Sequence, residues 1–255
     1  MSIDVRIVSR RRPVGLGVLR RVVPVRAATT EPSAGRRRGE GPVVGFDLDQ
    51  TLVDSGPRIS SCLRGALGEV GLPFDEAAAE AARGLPLAGT LAALVPPGRA
   101  TPALLEDLAA RYRAQDRRPD GEGGHPLVGP MPHARAALEA VVAGGGRAVV
   151  VSAKRGEAVG RVLAWAGLDD LVDAVAGDRF GVAKAGALLE QGAVVYVGDH
   201  PADVDAARAA GAAAVAVATG AHGPAELEAL DVDVVMPDLE AFPAWLEPWA
   251  ARRTA

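Results

Sequence analysis

From Val43 onward, short apolar runs alternate with longer segments of helical periodicity, and this rhythm restricts the chain to a parallel sheet with helices packed against it. The expected strands are Val43 to Leu48, Arg147 to Val151, Leu171 to Val175, Val194 to Val197, Ala213 to Val217 and Val232 to Met236. Between them, Val159, Val162, Leu163 and Ala166 recur at i, i+3, i+4 and i+7, and Gly167 stands where a helix would be capped. Ala134, Leu138, Val141 and Val142 follow a similar helical spacing before the stop at Gly144-Gly145-Gly146. The expected class is α/β, with helices on both faces of the sheet.

Between Ser55 and Pro130 the alternation fails. Pro57 to Val70 carries Ile59, Leu63, Ala66, Leu67 and Val70 on one helical face, and Asp75 to Arg83 and Pro102 to Arg113 read as further helices. Leu72-Pro73, Pro96-Pro97-Gly98 and Pro119-Asp120-Gly121 break them apart. The chain is therefore expected to hold an α/β core in residues 42–55 and 131–255 and an inserted α-helical cap in residues 56–130. Ligands of open parallel sheets bind beyond the carboxyl ends of the strands, so an insertion after the first strand is placed to cover a site there.

Ahead of the core, residues 1–41 mix clustered arginines with Pro, Gly, Ser and Thr. Through Glu40 there are ten arginines against Asp4, Glu31 and Glu40, a balance of +7, which leaves −11 for the rest of a chain whose net charge is −4. This stretch reads as a disordered Arg-rich extension, either a solvated tail or an electrostatic arm, and Ile3 to Val8 and Val14 to Val25 leave room for an appended strand. The acidic remainder argues against a nucleic-acid-binding face on the folded part. A single cysteine, Cys62, excludes an intramolecular disulfide and suits a cytoplasmic setting, as a small buried hydrophobe. No apolar run approaches the roughly 20 residues of a membrane-spanning helix, and the first 40 residues lack the apolar stretch of a secretory signal.

The chemistry-bearing residues fall where strands end. Asp47 and Asp49 close the first strand, and at i and i+2 they would share a face, which is unfavourable unless a cation or proton lies between them. Ser152 follows the second strand and precedes Ala153-Lys154; its hydroxyl and the turn's N–H groups could hold a phosphoryl oxygen, or it could cap the next helix. Lys184 precedes a short helix and offers a fixed ammonium for a transferred anionic group, with Lys154 as the competing cation. Gly198-Asp199 ends another strand, with Asp203 one turn into the following helix, and such carboxylates are the oxygen donors magnesium prefers. His200 alone beside hard oxygen donors does not make a zinc site. Arg83, in the insertion, reads either as a surface charge or as a fork for a carboxylate or second phosphate.

The run Phe46-Asp47-Leu48-Asp49-Gln50-Thr51-Leu52-Val53-Asp54-Ser55, then Ser152, Lys184 and Gly198-Asp199 with Asp203, resembles in order the four motifs of the haloacid dehalogenase-like phosphohydrolases, over about Val43 to Leu246. The resemblance implies a Rossmann-like sheet and assigns roles. Asp47 would be the nucleophile, Asp49 the general acid and base, and Ser152 and Lys184 the groups that hold the phosphoryl unit. Mg2+ would be held by Asp47, the Asp49 backbone carbonyl, Asp199 and, through water, Asp203. Thr51, Ser152, Ala153, Lys154 and Arg83 would contact substrate. Ala185 departs from the proline many relatives carry after the lysine. The presence of Asp49 disfavours halide and phosphonate chemistry, and Val151-Ser152-Ala153-Lys154 with Val162-Leu163-Ala164-Trp165-Ala166-Gly167-Leu168 is similar to the phosphoglycolate phosphatase branch. The implied function is a magnesium-dependent phosphatase acting on a small phosphorylated metabolite through an aspartyl-phosphate. A phosphomutase of the β-phosphoglucomutase type, or a phosphate-binding regulatory protein without catalysis, are the alternatives.

Overall fold

The computed structural model describes residues 6–7, 23–24, 39–118 and 127–254. The chain divides into two compact units, Met1–Val53 with Pro130–Ala255, and Asp54–Gly129. In chain order the strands are β1 (Arg6–Ile7), β2 (Val23–Pro24), β3 (Val43–Phe46), β4 (Val53–Asp54), β5 (Gly129–Pro130), β6 (Arg147–Val151), β7 (Ala174–Ala176), β8 (Ala193–Gly198), β9 (Ala213–Val217) and β10 (Val234–Met236). The Arg clusters of the amino-terminal stretch and the break expected at Pro119-Asp120-Gly121 lie outside the described residues.

Six strands of the first unit run parallel in the order β10-β9-β8-β3-β6-β7, and β1 and β2 extend the two edges antiparallel, beside β10 and β7. The chain builds from β3 through β6 to β7, then returns to the other flank of β3 for β8, β9 and β10. Such a reversal opens a crevice at the carboxyl ends of the two central strands. β3, β6, β8 and β9 are largely apolar and almost wholly buried, as strands covered on both faces must be.

Two strands begin later than the apolar runs suggest. Leu171 ends a short 3-10 turn (Asp169–Leu171), and Asp173 then engages Ala148 twice, donating its N–H to the Ala148 carbonyl at 2.8 Å and accepting the Ala148 N–H on Oδ2 at 3.0 Å. Asp233 does the same to Ala214, at 3.0 and 2.8 Å. In both places a carboxylate stands in for the next ladder carbonyl, and the strand starts only after it.

The second unit consists of helices α1 (Gly56–Gly68), α2 (Glu76–Ala81), α3 (Leu87–Leu94) and α4 (Pro102–Asp116). They bury Cys62, Leu63, Ala66, Leu67, Leu91, Leu94 and Leu108 in one core. The Asp75 carboxylate caps α2 by accepting from the Ala77 and Ala78 N–H groups. A buried Arg58–Asp116 pair links α1 to α4 at 3.4 Å. The eight residues of α3 form an apolar run too short for periodicity to assign.

Around the sheet, the first unit carries α5 (Ala134–Ala143), α6 (Gly156–Ala166), α7 (Ala183–Gln191), α8 (Pro201–Ala209), α9 (Pro224–Glu228) and α10 (Phe242–Thr254). On α6, Val159, Val162, Leu163 and Ala166 are all buried, and Gly167 closes the helix at φ 65°, the left-handed conformation glycine adopts without strain. The chain leaves the first unit after Val53 and re-enters it at Pro130; the Met131 N–H donates to the Leu52 carbonyl at 2.9 Å, so exit and return lie side by side. Among the described residues, no helix is long and apolar enough to cross a membrane.

Candidate active site

Strand register assembles the site. Phe46 of β3 is paired with Val150 on one side and Val197 on the other. The residues just beyond these pairs are therefore Asp47 in the middle, Val151-Ser152 on one flank and Gly198-Asp199 on the other. The backbone continues this row for one further bond, from the Asp47 N–H to the Val197 carbonyl at 2.8 Å.

Asp47 and Asp49 do not sit side by side on a strand. β3 ends at Phe46, and residues 48–53 form a tight loop in which the Leu52 and Val53 N–H groups donate to the Leu48 carbonyl at 2.9 and 3.0 Å. Both acids therefore lie beyond the strand, where its alternation of faces no longer applies, and Gln50, at φ 61°, turns the chain directly after Asp49. Each acid consequently has its own cation. Lys184 Nζ donates to Asp47 Oδ1 at 2.8 Å, whereas Lys154 Nζ stands 3.5 Å from Asp49 Oδ1. The sequence holds only these two lysines, and both are in this site. That scarcity is itself a signal in the sequence, independent of any motif.

Lys184 lies within the first turn of α7, not ahead of it, and is buried. Its ammonium also donates to Asp203 Oδ1 at 2.6 Å. Burial alone would push the ammonium's pKa down, but Asp203 and Asp47 outweigh that and hold it well above its ordinary value. Ala185, which departs from the family pattern of proline after the lysine, donates its N–H to the Val182 carbonyl at 3.0 Å, a bond proline could not make.

Asp203 is shared between charge and helix start. Its Oδ2 accepts the His200 N–H at 3.2 Å while His200 Nδ1 accepts the Ala202 N–H at 3.0 Å, a reciprocal cap on α8 with Pro201 in the first turn. Burial lowers the His200 pKa, in keeping with a neutral ring that accepts at Nδ1.

Three carboxylates crowd this one ammonium. Oxygens of Asp47, Asp199 and Asp203 all lie within 4.8 Å of one another. Burial pushes the Asp47 carboxyl up to about 7 against the pull of Lys184, with Asp203 adding to the rise. Burial, then the charges of Asp47 and Asp203, holds Asp199 well above the usual carboxylate range. A cluster with more buried acid than base, made of hard oxygen donors, fits a divalent cation such as Mg2+. The Asp49 side chain is not one of the three.

Small residues make the crowding possible. A Cβ on Gly220 would fall 1.8 Å from Asp199 Oδ2, and one on Gly198 would fall 2.4 Å from Asp203 Oδ2. Gly220 belongs to the loop after β9, whose Thr219 hydroxyl donates to the Gln50 carbonyl at 2.5 Å. Neither residue of that loop is marked by a sequence motif; only a Thr-Gly pair following an apolar run hints at it.

The remaining expected residues divide by surroundings. Ser152 is buried, and its Oγ accepts the Lys154 N–H at 3.2 Å, closing a turn three residues ahead of Arg155, the cap position of α6. Ser152 is therefore not that helix's cap. Ala153, in the same turn, is exposed. Thr51 is fully buried and donates its hydroxyl to Asp199 Oδ1 at 3.1 Å, orienting a carboxylate. Arg83 belongs to the helical unit, where its guanidinium pairs with Glu80.

The sequence matches the family described as haloacid dehalogenase-like hydrolase over residues 44–217. It is 33% identical over 225 residues to a plasmid phosphoglycolate phosphatase of Cupriavidus necator, covering 80% of this chain and 92% of that protein. Against a phosphoglycolate phosphatase of Cereibacter sphaeroides it is 32% identical over 186 residues, 67% of this chain and 82% of that one. Among solved structures, a haloacid dehalogenase-like family hydrolase from Streptococcus pneumoniae shares the fold with a TM-score of 0.66 at 19% identity, covering 82% of this chain and 97% of the other.

Proposed function

Since the chain belongs to the haloacid dehalogenase-like hydrolases and is a phosphoric monoester hydrolase, we propose that it cleaves a small phosphorylated metabolite of the phosphoglycolate kind through an aspartyl-phosphate on Asp47. The observation that carries this reading is the Lys184 ammonium bridging Asp47 and Asp203, with Asp199 gathered against them at the crevice of the sheet. A carboxylate that only stabilised the fold would not be buried among two further acids.

In this reading Asp47 attacks phosphorus as the ester P–O bond breaks, and Asp49 gives its proton to the departing alcohol. Asp49 then takes a proton from the water that splits the aspartyl-phosphate, which frees inorganic phosphate and restores Asp47. Lys184 and the Ser152 turn hold the phosphoryl oxygens, whose negative charge must be met throughout. Lys154, 3.5 Å from Asp49, would contact the substrate. Asp47, Asp199, the Asp49 carbonyl and, through water, Asp203 would hold Mg2+, which when bound supplies the positive charge that lets these acids stay ionised beside a phosphate. The helical unit, inserted directly after the first motif, would act as the cap that selects substrates, with Arg83 a candidate contact.

Phosphate release from 2-phosphoglycolate, other phosphorylated metabolites and p-nitrophenyl phosphate tests this. Release is expected to require Mg2+ and to vanish in EDTA; undiminished release in EDTA would remove the metal from the mechanism. Asp49→Asn is expected to stay folded, by circular dichroism, and to lose at least about 100-fold in turnover, the lower range of general acid-base catalysis. Near-full activity of that variant would remove Asp49 from its role.

A further inference from the structure

Tyr196 crosses the central strand. It sits on β8 opposite Gly45 of β3, yet its hydroxyl donates to the Val151 carbonyl at the end of β6, on the far side of β3, at 2.8 Å. Gly45 makes the crossing possible, because a Cβ there would fall 2.8 Å from Cδ2 of the tyrosine ring and 2.6 Å from Leu188 Cδ2. The ring is buried, and the Lys184 ammonium stands 5.5 Å from its centroid.

The carbonyl that Tyr196 holds belongs to the same peptide plane as the Ser152 N–H. That N–H donates to the Ala176 carbonyl at 3.0 Å. The plane is thus gripped at both polar atoms, by β7 on one side and by the tyrosine hydroxyl on the other, and a rigid peptide so held fixes where the Ser152 side chain starts. Ser152 is also tied downstream, where its carbonyl accepts the Arg179 N–H at 2.9 Å. Phenylalanine would fill the same volume, so packing alone does not require the hydroxyl.

We propose that Tyr196 is a positioning residue for phosphate binding, which sets the Val151–Ser152 peptide through its hydroxyl and backs the Lys184 ammonium with its ring. The inference rests on the reading of Ser152 as a phosphoryl-binding group. Both are tested by KM and kcat for Mg2+-supported ester hydrolysis, and by inhibition with inorganic phosphate, in Tyr196→Phe, Ser152→Ala and the double variant.

Ser152→Ala is expected to raise KM and the phosphate inhibition constant about tenfold or more, and Tyr196→Phe about fivefold to tenfold with kcat within about threefold, the scale of one hydrogen bond. In the double variant Tyr196→Phe should add less than about twofold, because the hydroxyl it positions is gone. A Ser152→Ala enzyme with wild-type KM would defeat the reading of Ser152. An effective Ser152→Ala with Tyr196→Phe at wild-type KM, or with losses that multiply in full, would defeat the role of Tyr196. Gly45→Ala is an independent arm: its added methyl should push the ring aside and reproduce the KM defect, and wild-type KM in that variant overturns the proposal even if Tyr196→Phe fails to fold.

Discussion

Asp47→Asn is expected to abolish phosphomonoester hydrolysis, by at least about 10³-fold, and at the same time to make the metal-free protein more stable at pH 8. The second half follows from the first residue's surroundings. Burial raises the Asp47 carboxyl from 3.8 to about 7. Between those values the folded chain holds a proton that the unfolded chain releases, so stability falls as pH rises through that window and the whole penalty is present above it. Asparagine does not ionise and escapes the penalty, while Lys184 keeps its bond to Asp203. Thermal melts without metal should place the variant above the wild type at pH 8, on the order of 5 °C, with the gap closing toward pH 4. Added Mg2+ should stabilise the wild type more than the variant. A variant that still turns over, or that melts below the wild type at pH 8, contradicts the account.

Lys184→Met carries the largest expected loss of stability. It removes the ammonium bonded to both Asp47 and Asp203 and leaves the three buried acids without that compensation. Breaking one side of such a buried pair typically costs about 3–5 kcal/mol. The loss should depend on pH in a definite direction. With the lysine gone, Asp47 and Asp199 are pushed further up and take protons more readily, so urea denaturation at pH 5 should show a much smaller deficit than at pH 8. Turnover at pH 8 should also fall, by about 100-fold or more, as a charge facing the transferred group disappears. Equal destabilisation at the two pH values would mean that packing, not charge, is what Lys184 supplies.

The strand ends that carry Asp47, Ser152 and Asp199 are legible in the sequence, because each follows an apolar run and parallel strands bring such ends together. Cys62 likewise falls on the buried face of α1, where its helical spacing puts it. The pairings between these groups are another matter. That Asp47 answers to Lys184 and Asp49 to Lys154 depends on β3 ending at Phe46, ahead of both acids, which the apolar run through Leu48 does not announce. The Thr51 bond to Asp199 and the fit of Gly220 against the same carboxylate depend on which strands are neighbours. Ser152 satisfies the sequence rules for a helix cap equally well, and only the start of α6 beyond Arg155 separates the two uses. The late starts of β7 and β10 come from Asp173 and Asp233, polar side chains imitating backbone.

Leu52 and Met131 are joined by a hydrogen bond although the whole of the helical unit's sequence lies between them. For the sheet, then, residues 54–129 amount to a loop whose two ends already touch. Closing a loop depends only weakly on its length, so a lineage is free to trade that stretch for a longer, shorter or unrelated one while the acids and lysines stay in place. Under the proposed division of labour, selection for new substrates and selection for the phosphoryl chemistry would then act on separate stretches of the gene.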